Sequence, residues 1–377
     1  KPRPKKEQKM NKDQQSVLEI NLKSLEKNFF HIKSLLSKKP TKLMAVVKAN
    51  GYGSDALIIS KKLQELDIDY FAVAYASEGV ILRKAGIKTP ILVLLPQVGS
   101  IKQIVKFDLE PSLYSFSVLK EFLKFFKKNN LKKYPVHIKL NTGLNRVGFS
   151  LDDLSVVISK ILESSNIVVR SIYSHLAASE EISETSFSKK QIELFNTLSS
   201  NIISRLEYTP MLHICNTSGL INFPEAHYDM VRSGIGLYGF SGNPKIKLSP
   251  VHRLKSVISQ IHTINKNESV GYNRSHFSQE NEKIATIPIG HADGITRIFG
   301  NKKGFVFINE QKAFIVGNVC MDVIMVDVSN IKCKEGDQVI IFNEVHTAED
   351  LCCSAGTISY ELISSISTNR ITQSIIE

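Results

Sequence analysis

Lys48 ends an apolar run in the stretch Ala45-Val46-Val47-Lys48-Ala49-Asn50-Gly51-Tyr52-Gly53. If that run is a strand, the amine emerges at its C-terminal end, partly desolvated. Desolvation disfavours the ammonium form, and a neutral amine can form a Schiff base with an aldehyde. Taken alone, such a lysine is more often one that snorkels from a strand end into water, and Tyr52 beside it reads as a core tyrosine. Other segments carry the same ambiguity. Lys139 and Arg146 lie in His137-Ile138-Lys139-Leu140-Asn141-Thr142-Gly143-Leu144-Asn145-Arg146-Val147-Gly148-Phe149 and out of context are a strand-end lysine and a surface arginine. His175 ends an apolar run, where a lone histidine is usually a satisfied structural residue. In His213-Ile214-Cys215-Asn216-Thr217-Ser218 the Asn-Thr-Ser triplet reads as a helix N-cap, and helix N-termini also offer N–H groups to phosphate. Arg232 sits in Val231-Arg232-Ser233-Gly234-Ile235-Gly236-Leu237-Tyr238-Gly239, and Tyr272 in Val270-Gly271-Tyr272-Asn273-Arg274 reads alone as a turn tyrosine.

In their order along the chain these strings resemble those of the alanine racemases, from about Val17 to Arg370. VVKANGYG is similar to that family's cofactor-lysine motif VKANAYGHG. HIKLNTGLNRVGF is similar to HLKVDTGMGRLGF, Ser174-His175-Leu176 to SHF, and His213–Ser218 to HxxNS. VRSGIGLYG is similar to VRxGIxxYG, and VGYNR to VSYGR. Gly317–Asp322 is similar to GRVCMD, Gly290–Gly294 to GYADG, and Gly356–Glu361 to GTIxYE.

The resemblance implies pyridoxal 5′-phosphate as cofactor, held by Lys48. Tyr52, Asn216, Thr217, Gly234, Ile235 and Tyr360 would serve its phosphate, with His175 and His213 near its ring. Arg232 would donate to the pyridine nitrogen. A guanidinium does not readily give up its proton, so that nitrogen would stay unprotonated, which restrains decarboxylation and transamination. Arg146 and the Met321 backbone N–H would bind the substrate carboxylate, and Lys139 matches a lysine that is often carbamylated. Lys48 on the D side and Tyr272 on the L side would be the two bases that interconvert L- and D-alanine, with D-alanine destined for peptidoglycan. Tyr272 and Met321 would come from the partner subunit of a homodimer with shared sites. The sequence departs from the pattern at Asn141 (for Asp), Thr217 (for Ser), Gly271 (for Ser), Asn273 (for Gly) and His291 (for Tyr). The last bears on the substrate entrance.

The elements needed to position these groups follow from periodicity. From about Lys42 to Gly239 a short apolar run alternates with an amphipathic stretch. The runs are Leu43–Val47, Tyr70–Ala74, Ile91–Leu95, a weak one near Glu110–Leu113, Val136–Leu140, Val168–Ser174, Met211–Cys215 and Asp229–Arg232. Alternating strand and helix signals a parallel sheet covered by helices, and about eight such units fit a (β/α)8 barrel. A doubly wound sheet is the competing topology, disfavoured by the lack of a GxGxxG after the first strand. After Gly239 short Val/Ile/Thr-rich runs separated by Gly, Asn and Asp, such as Ser256–Ile264 and Gln338–Phe342, indicate a mostly β domain. The expected division is a disordered or linker segment over 1–15, a barrel over 16–240 whose residues 16–22 form a strand joining the β domain, and a β domain over 241–377.

At 377 residues and 42% hydrophobic content the chain is long enough for two cores. The net charge is +12, but lysines such as Lys127-Lys128 and Lys302-Lys303 cluster in short runs beside turn residues, with no aromatic-interleaved basic face. Nucleic acid is therefore not an expected partner. No apolar stretch suits a membrane span, and Lys1–Lys6 lacks the apolar region of a signal peptide. Five cysteines fit neither a disulfide framework nor a metal site, so reduced thiols in a cytoplasm and no metal are expected. The start without Met fits an excised domain, including the racemase part of a ligase–racemase fusion. Within the same chemistry a racemase of broader range is the alternative, and a decarboxylase is disfavoured by Arg232. A non-catalytic pyridoxal-phosphate-binding protein is the alternative from another class.

Overall fold

The computed structural model describes residues 15–36, 40–243 and 245–377. All but the last residue of the expected linker over 1–15 lies outside them. Two compact units emerge: Leu25–Leu248, and the described residues up to Ser24 together with Ser249–Glu377.

The first strand of the chain, β1 (Val17–Asn21), belongs to the second of these units. Leu25–Leu248 is built on eight strands: β2 (Lys42–Val46), β3 (Tyr70–Val73), β4 (Ile91–Val93), β5 (Glu110–Leu113), β6 (Tyr134–Lys139), β7 (Ile167–Tyr173), β8 (Met211–His213) and β9 (Met230–Ser233). They pair in the order β8-β7-β6-β5-β4-β3-β2-β9, every pair parallel. The Asp229 N–H donates to Leu212 O and the Arg232 N–H to Cys215 O, each at 3.1 Å. These bonds stitch β9 to β8, so the sheet closes on itself as a (β/α)8 barrel rather than an open doubly wound sheet. Residues of β3, β4 and β5 are buried on both faces, which is why these strands read as continuous apolar runs. The covering helices bury one stripe each. In Phe116–Lys128, capped by Ser115, Val118, Leu119, Phe122 and Phe126 face inward, and the helix ends on Lys127 and Lys128, which favour the negative end of its dipole.

The other unit holds a six-stranded sheet, β16-β15-β18-β10-β1-β19, and a three-stranded sheet, β11-β14-β17. Here β10 is His252–Val257, β11 Gln260–Ile264, β12 Ser269–Val270, β13 His276–Phe277, β14 Glu282–Ile287, β15 Phe305–Ile308, β16 Gln311–Phe314, β17 Ile324–Asp327, β18 Gln338–Phe342 and β19 Thr372–Ile376. Burial alternates along β10, as in a sheet with one face to solvent. The run Ser256–Ile264 is two strands, not one. At the break Ile258 N–H bonds Asp337 O and Ser259 N–H bonds Thr286 O, both at 2.9 Å, so the chain leaves one sheet for the other. β1 lies between β10, antiparallel, and β19, parallel. Across it Glu19 pairs with Lys255 at 2.7 Å and Arg253 at 3.3 Å. Among the described residues no helix is long and apolar enough to cross a membrane.

Candidate active site

Directly after β2 the backbone enters the left-handed region at Ala49, Asn50, Gly51 and Tyr52, with φ between 52° and 65°. Each non-glycine residue there costs roughly 1–2 kcal/mol, so the turn must be held. Gly51 N–H bonds Val47 O and Gly53 N–H bonds Ala49 O, both at 3.0 Å. Glu78 accepts from Ala49 N–H at 2.7 Å. The reversal leaves Lys48 at the C-terminal mouth of the barrel, where barrel active sites lie. Burial and the charge of Arg146 lower the Lys48 pKa, while Glu78 opposes them.

The loop after β6 carries Arg146. It is cinched by Phe149 N–H to Lys139 O and Asn141 N–H to Phe149 O, both at 2.9 Å. Gly148 sits at φ 124°, and a Cβ there would lie 2.7 Å from Asn141 N, so no larger residue closes this loop. Asn141 accepts from the Gly143 and Asn145 N–H groups and donates to Asn145 Oδ1. Lys139 is buried, bonded to Leu140 O at 3.1 Å and Ser174 Oγ at 3.4 Å, with Nζ 5.1 Å from the Tyr173 ring centre. Burial and then the charges of Arg232 and Arg146 hold its pKa well below the ordinary value, which disfavours its ammonium form.

Arg232, on β9, is buried under the same mouth. Its Nη1 donates to His213 Nδ1 at 2.6 Å. Its Nη2 donates to Ser174 O at 2.8 Å, His175 Nδ1 at 3.0 Å and Ile214 O at 3.0 Å. Nε is the one guanidinium nitrogen without a hydrogen bond among the described residues. Burial pushes the Arg232 pKa down to about 10, still a cation near neutrality. Burial and Arg232 hold His175 and His213 well below the ordinary histidine range, so both rings are neutral.

Beside Lys48, Tyr52 folds back over β9, its ring centre 4.7 Å from that of Tyr238. A Cβ on Gly234 would stand 2.3 Å from the Tyr52 hydroxyl. Thr217 Oγ1 accepts from Gly234 N–H at 3.3 Å and Gly236 N–H at 3.2 Å, and Ile235 lies between them. Asn216 caps the helix Thr217–Asn222 by accepting from Gly219 N–H at 2.8 Å, and it also accepts from Ser179 Oγ at 2.7 Å. The cap and the proposed anion contacts thus share one segment.

Ten of the expected residues therefore meet in the barrel unit: Lys48, Tyr52, Lys139, Arg146, His175, Asn216, Thr217, Arg232, Gly234 and Ile235. Tyr272, Met321 and Tyr360 lie in the β unit. Tyr272 and Met321, 70% and 57% exposed, line one groove of about 520 Å³ with Gly271, Cys320, Asp322, Val323 and Met325. Tyr272 follows the left-handed Gly271, and Asn318 Nδ2 donates to Tyr272 O at 3.0 Å. His291 is exposed, and its N–H donates to Cys320 O at 2.9 Å. Tyr360 is half-exposed on the helix Ser359–Ser365.

Two residues at the barrel mouth were not singled out from sequence. Glu78 binds the Lys48 turn and accepts from Ala74 and Tyr75 N–H groups at 2.7 and 3.0 Å. Its place at the third position of the helix Ala76–Lys84 is a capping-box signal. Tyr173 lies under both Lys139 and Arg232, and nothing local separates it from a core tyrosine.

Comparison with known proteins adds the family. Residues 20–242 match the family model "Alanine racemase, N-terminal domain" and residues 251–374 "Alanine racemase, C-terminal domain". The chain is 35% identical to an alanine racemase of Clostridium kluyveri, over 92% of this chain and 90% of that protein. It is 34% identical to alanine racemase 2 of Bacillus subtilis, over 93% and 92%. Among solved structures, an alanine racemase of Clostridium difficile superposes with a TM-score of 0.87 at 32% identity, covering 96% of each chain. One from Bartonella henselae, solved with covalently bound pyridoxal phosphate, gives 0.87 at 28% identity, covering 96% of this chain and 99% of that one.

Proposed function

The chain belongs to the alanine racemase family, and from that premise we propose that it is a pyridoxal-phosphate-dependent isomerase interconverting L- and D-alanine. The meeting of Lys48, Arg232 and the Tyr52–Gly234 cradle at one barrel mouth carries this assignment. The residues present fit the cofactor. The space that a Cβ on Gly234 would fill lies against a tyrosine hydroxyl, as a phosphate-binding corner needs. Arg146 and Arg232 bring positive charge to bear on the region of Lys139 and His175, suited to a phosphate and a carboxylate. Arg232 Nε, which makes no hydrogen bond among the described residues, is a donor left over for a ring nitrogen that only accepts.

Lys48 would hold the cofactor, with Tyr52, Asn216, Thr217, Gly234, Ile235 and Tyr360 around its phosphate and His175 beside its ring. When bound, pyridoxal phosphate delocalises the negative charge that deprotonation leaves on Cα. Arg232 keeps its own proton and donates a hydrogen bond, which limits how strongly that charge is drawn away and so favours returning the proton over losing carbon dioxide. Arg146 and the Met321 N–H orient the substrate carboxylate. The lowered pKa of the Lys48 amine suits it to take or give the Cα proton of D-alanine. Tyr272 does the same for L-alanine on the opposite face. Lys139, a buried amine whose ammonium form is disfavoured, is suited to take up carbon dioxide as a carbamate, whose charge would then pair with Arg146.

Tyr272 and Met321 are assigned to the partner subunit of a homodimer with two shared sites, supported by their exposure on one groove of the β unit. Cytoplasmic location and supply of D-alanine to peptidoglycan belong to the same proposal; five free cysteines support the former. The test is to load the protein with pyridoxal phosphate, add L-alanine and separate the enantiomers. D-alanine should accumulate toward an equal mixture. None from fully loaded protein would overturn the assignment.

A further inference from the structure

A row of polar side chains runs through the barrel interior, where such folds ordinarily pack branched apolar residues. Arg232 Nη1 meets His213 Nδ1 at 2.6 Å, and His213 Nε2 meets Ser171 Oγ at 2.8 Å. Ser171 Oγ meets His137 Nδ1 at 2.6 Å, and His137 Nε2 meets Glu110 Oε2 at 2.7 Å. Tyr70 Oη donates to the same carboxylate oxygen at 3.2 Å. His213, Ser171 and His137 are fully buried, Arg232 and Glu110 nearly so. Burying five polar groups in this way is costly unless each is satisfied.

The direction of every bond is fixed from both ends. A guanidinium only donates, so His213 Nδ1 accepts, and neutral His213 carries its proton on Nε2. That proton goes to Ser171 Oγ, whose own hydrogen then goes to His137 Nδ1. His137 is left with its proton on Nε2, facing a carboxylate that only accepts. A protonated His137 would donate from both nitrogens, leave Ser171 accepting twice, and strand the serine hydrogen. Burial acts to raise the Glu110 pKa, but the hydrogen bond from His137, with Arg170 and Tyr70, outweighs it and holds the carboxyl below its ordinary value.

We infer that Glu110 is a positioning residue for the reaction, acting through His137, Ser171 and His213 to fix Arg232 in the donor arrangement that the cofactor ring requires. The inference rests on the racemase assignment and deepens it. If Glu110 loses its acceptor-only character, the row can reverse. His137 then protonates on Nδ1, Ser171 donates to His213 Nε2, and His213 turns an Nδ1–H against Arg232 Nη1. Two donors at 2.6 Å cannot both stay, so the guanidinium must shift. Glu110→Gln is the same shape and supplies that ambiguity.

The test pairs a spectroscopic measurement with kinetics. In cofactor-free wild-type protein with ¹⁵N-labelled histidine, assigned with His213→Gln and His137→Gln, both rings should be neutral Nε2–H tautomers at neutral pH. In Glu110→Gln the His213 signal should show the other tautomer or a mixture. The loaded variant should lose roughly tenfold or more in kcat with KM for alanine within about threefold. Ser171→Ala, which breaks the row without changing charge, should repeat that split and covers the case in which Glu110→Gln does not fold. A wild-type His213 protonated on Nδ1, or Glu110→Gln with wild-type kcat and a single Nε2–H tautomer, would overturn the inference. Loaded wild type that forms no D-alanine sinks the racemase assignment, and this inference with it.

Discussion

Replacing Gly234 by alanine tests the cofactor cradle at its tightest point. The new Cβ would lie 2.3 Å from the Tyr52 hydroxyl and 3.0 Å from the ring carbon bearing it. The hydroxyl must therefore retreat by about 1 Å to reach ordinary contact distance. Tyr52 is 7% exposed and packs at 4.7 Å on Tyr238, so the ring has little room to give. The overpacking itself should cost on the order of 1–3 kcal/mol of stability. Displacing the hydroxyl from the phosphate removes a hydrogen bond to a charged group, about 1.5–3 kcal/mol, or roughly 10- to 150-fold in Kd. Titrating cofactor-free protein with pyridoxal phosphate by absorbance measures that loss directly. Because the alanine acts through Tyr52, it should cost much less in a Tyr52→Phe background. Unchanged Kd in a folded Gly234→Ala, or losses that simply add to that of Tyr52→Phe, would refute the cradle.

Other consequences are separate. Arg146→Gln should lower kcat/KM for alanine about 10- to 100-fold, mainly through KM, by removing a charged partner of the substrate carboxylate; an unchanged KM contradicts that role. His213 and His252 are buried, with pKa values pushed down by burial, His252 to about 4. The unfolded chain then binds more protons than the folded one below about pH 6.5, so stability is full above that pH and falls as pH drops, by on the order of 1.4 kcal/mol per unit for each histidine still neutral. Thermal unfolding from pH 7.5 to 5 checks this, and a flat Tm would contradict it. If sites are shared between subunits, mixing inactive Lys48→Ala and Tyr272→Phe chains with subunit exchange should restore about a quarter of wild-type activity, because half the dimers carry one intact site. No restoration, despite exchange, places both bases in one chain.

The barrel was legible because parallel strands buried on both faces leave plain apolar runs. Leu43–Val47 and Tyr70–Ala74 fall on β2 and β3 within a residue or two. The weak run at Glu110 is also a strand. It looked weak because it opens on a carboxylate that only its neighbours make tolerable in the interior. Those neighbours lie far away in sequence: His137 faces Ser171 through the register of β6 and β7, and no local pattern reports a register. The β unit was less legible. Its strands are short, the Ser256–Ile264 run hid a change of sheet, and β19 is parted from the preceding helix only by the short turn around Thr368–Arg370. At the site, motif strings located the residues, but not their wiring. Asn216 reads as a cap and is one. That the Gly234 N–H is bonded to Thr217, or that Glu78 braces the Lys48 turn, depends on loops brought together by the closed barrel.

The claim that two bases work from opposite faces is tested most directly with Tyr272→Phe in D2O. Loaded variant is given L-alanine or D-alanine, and deuterium at Cα is followed separately for each. With Lys48 intact, exchange from D-alanine should persist while exchange from L-alanine falls far more steeply. Equal loss from both enantiomers, or undiminished racemisation, would contradict the assignment of Tyr272 as the L-side base.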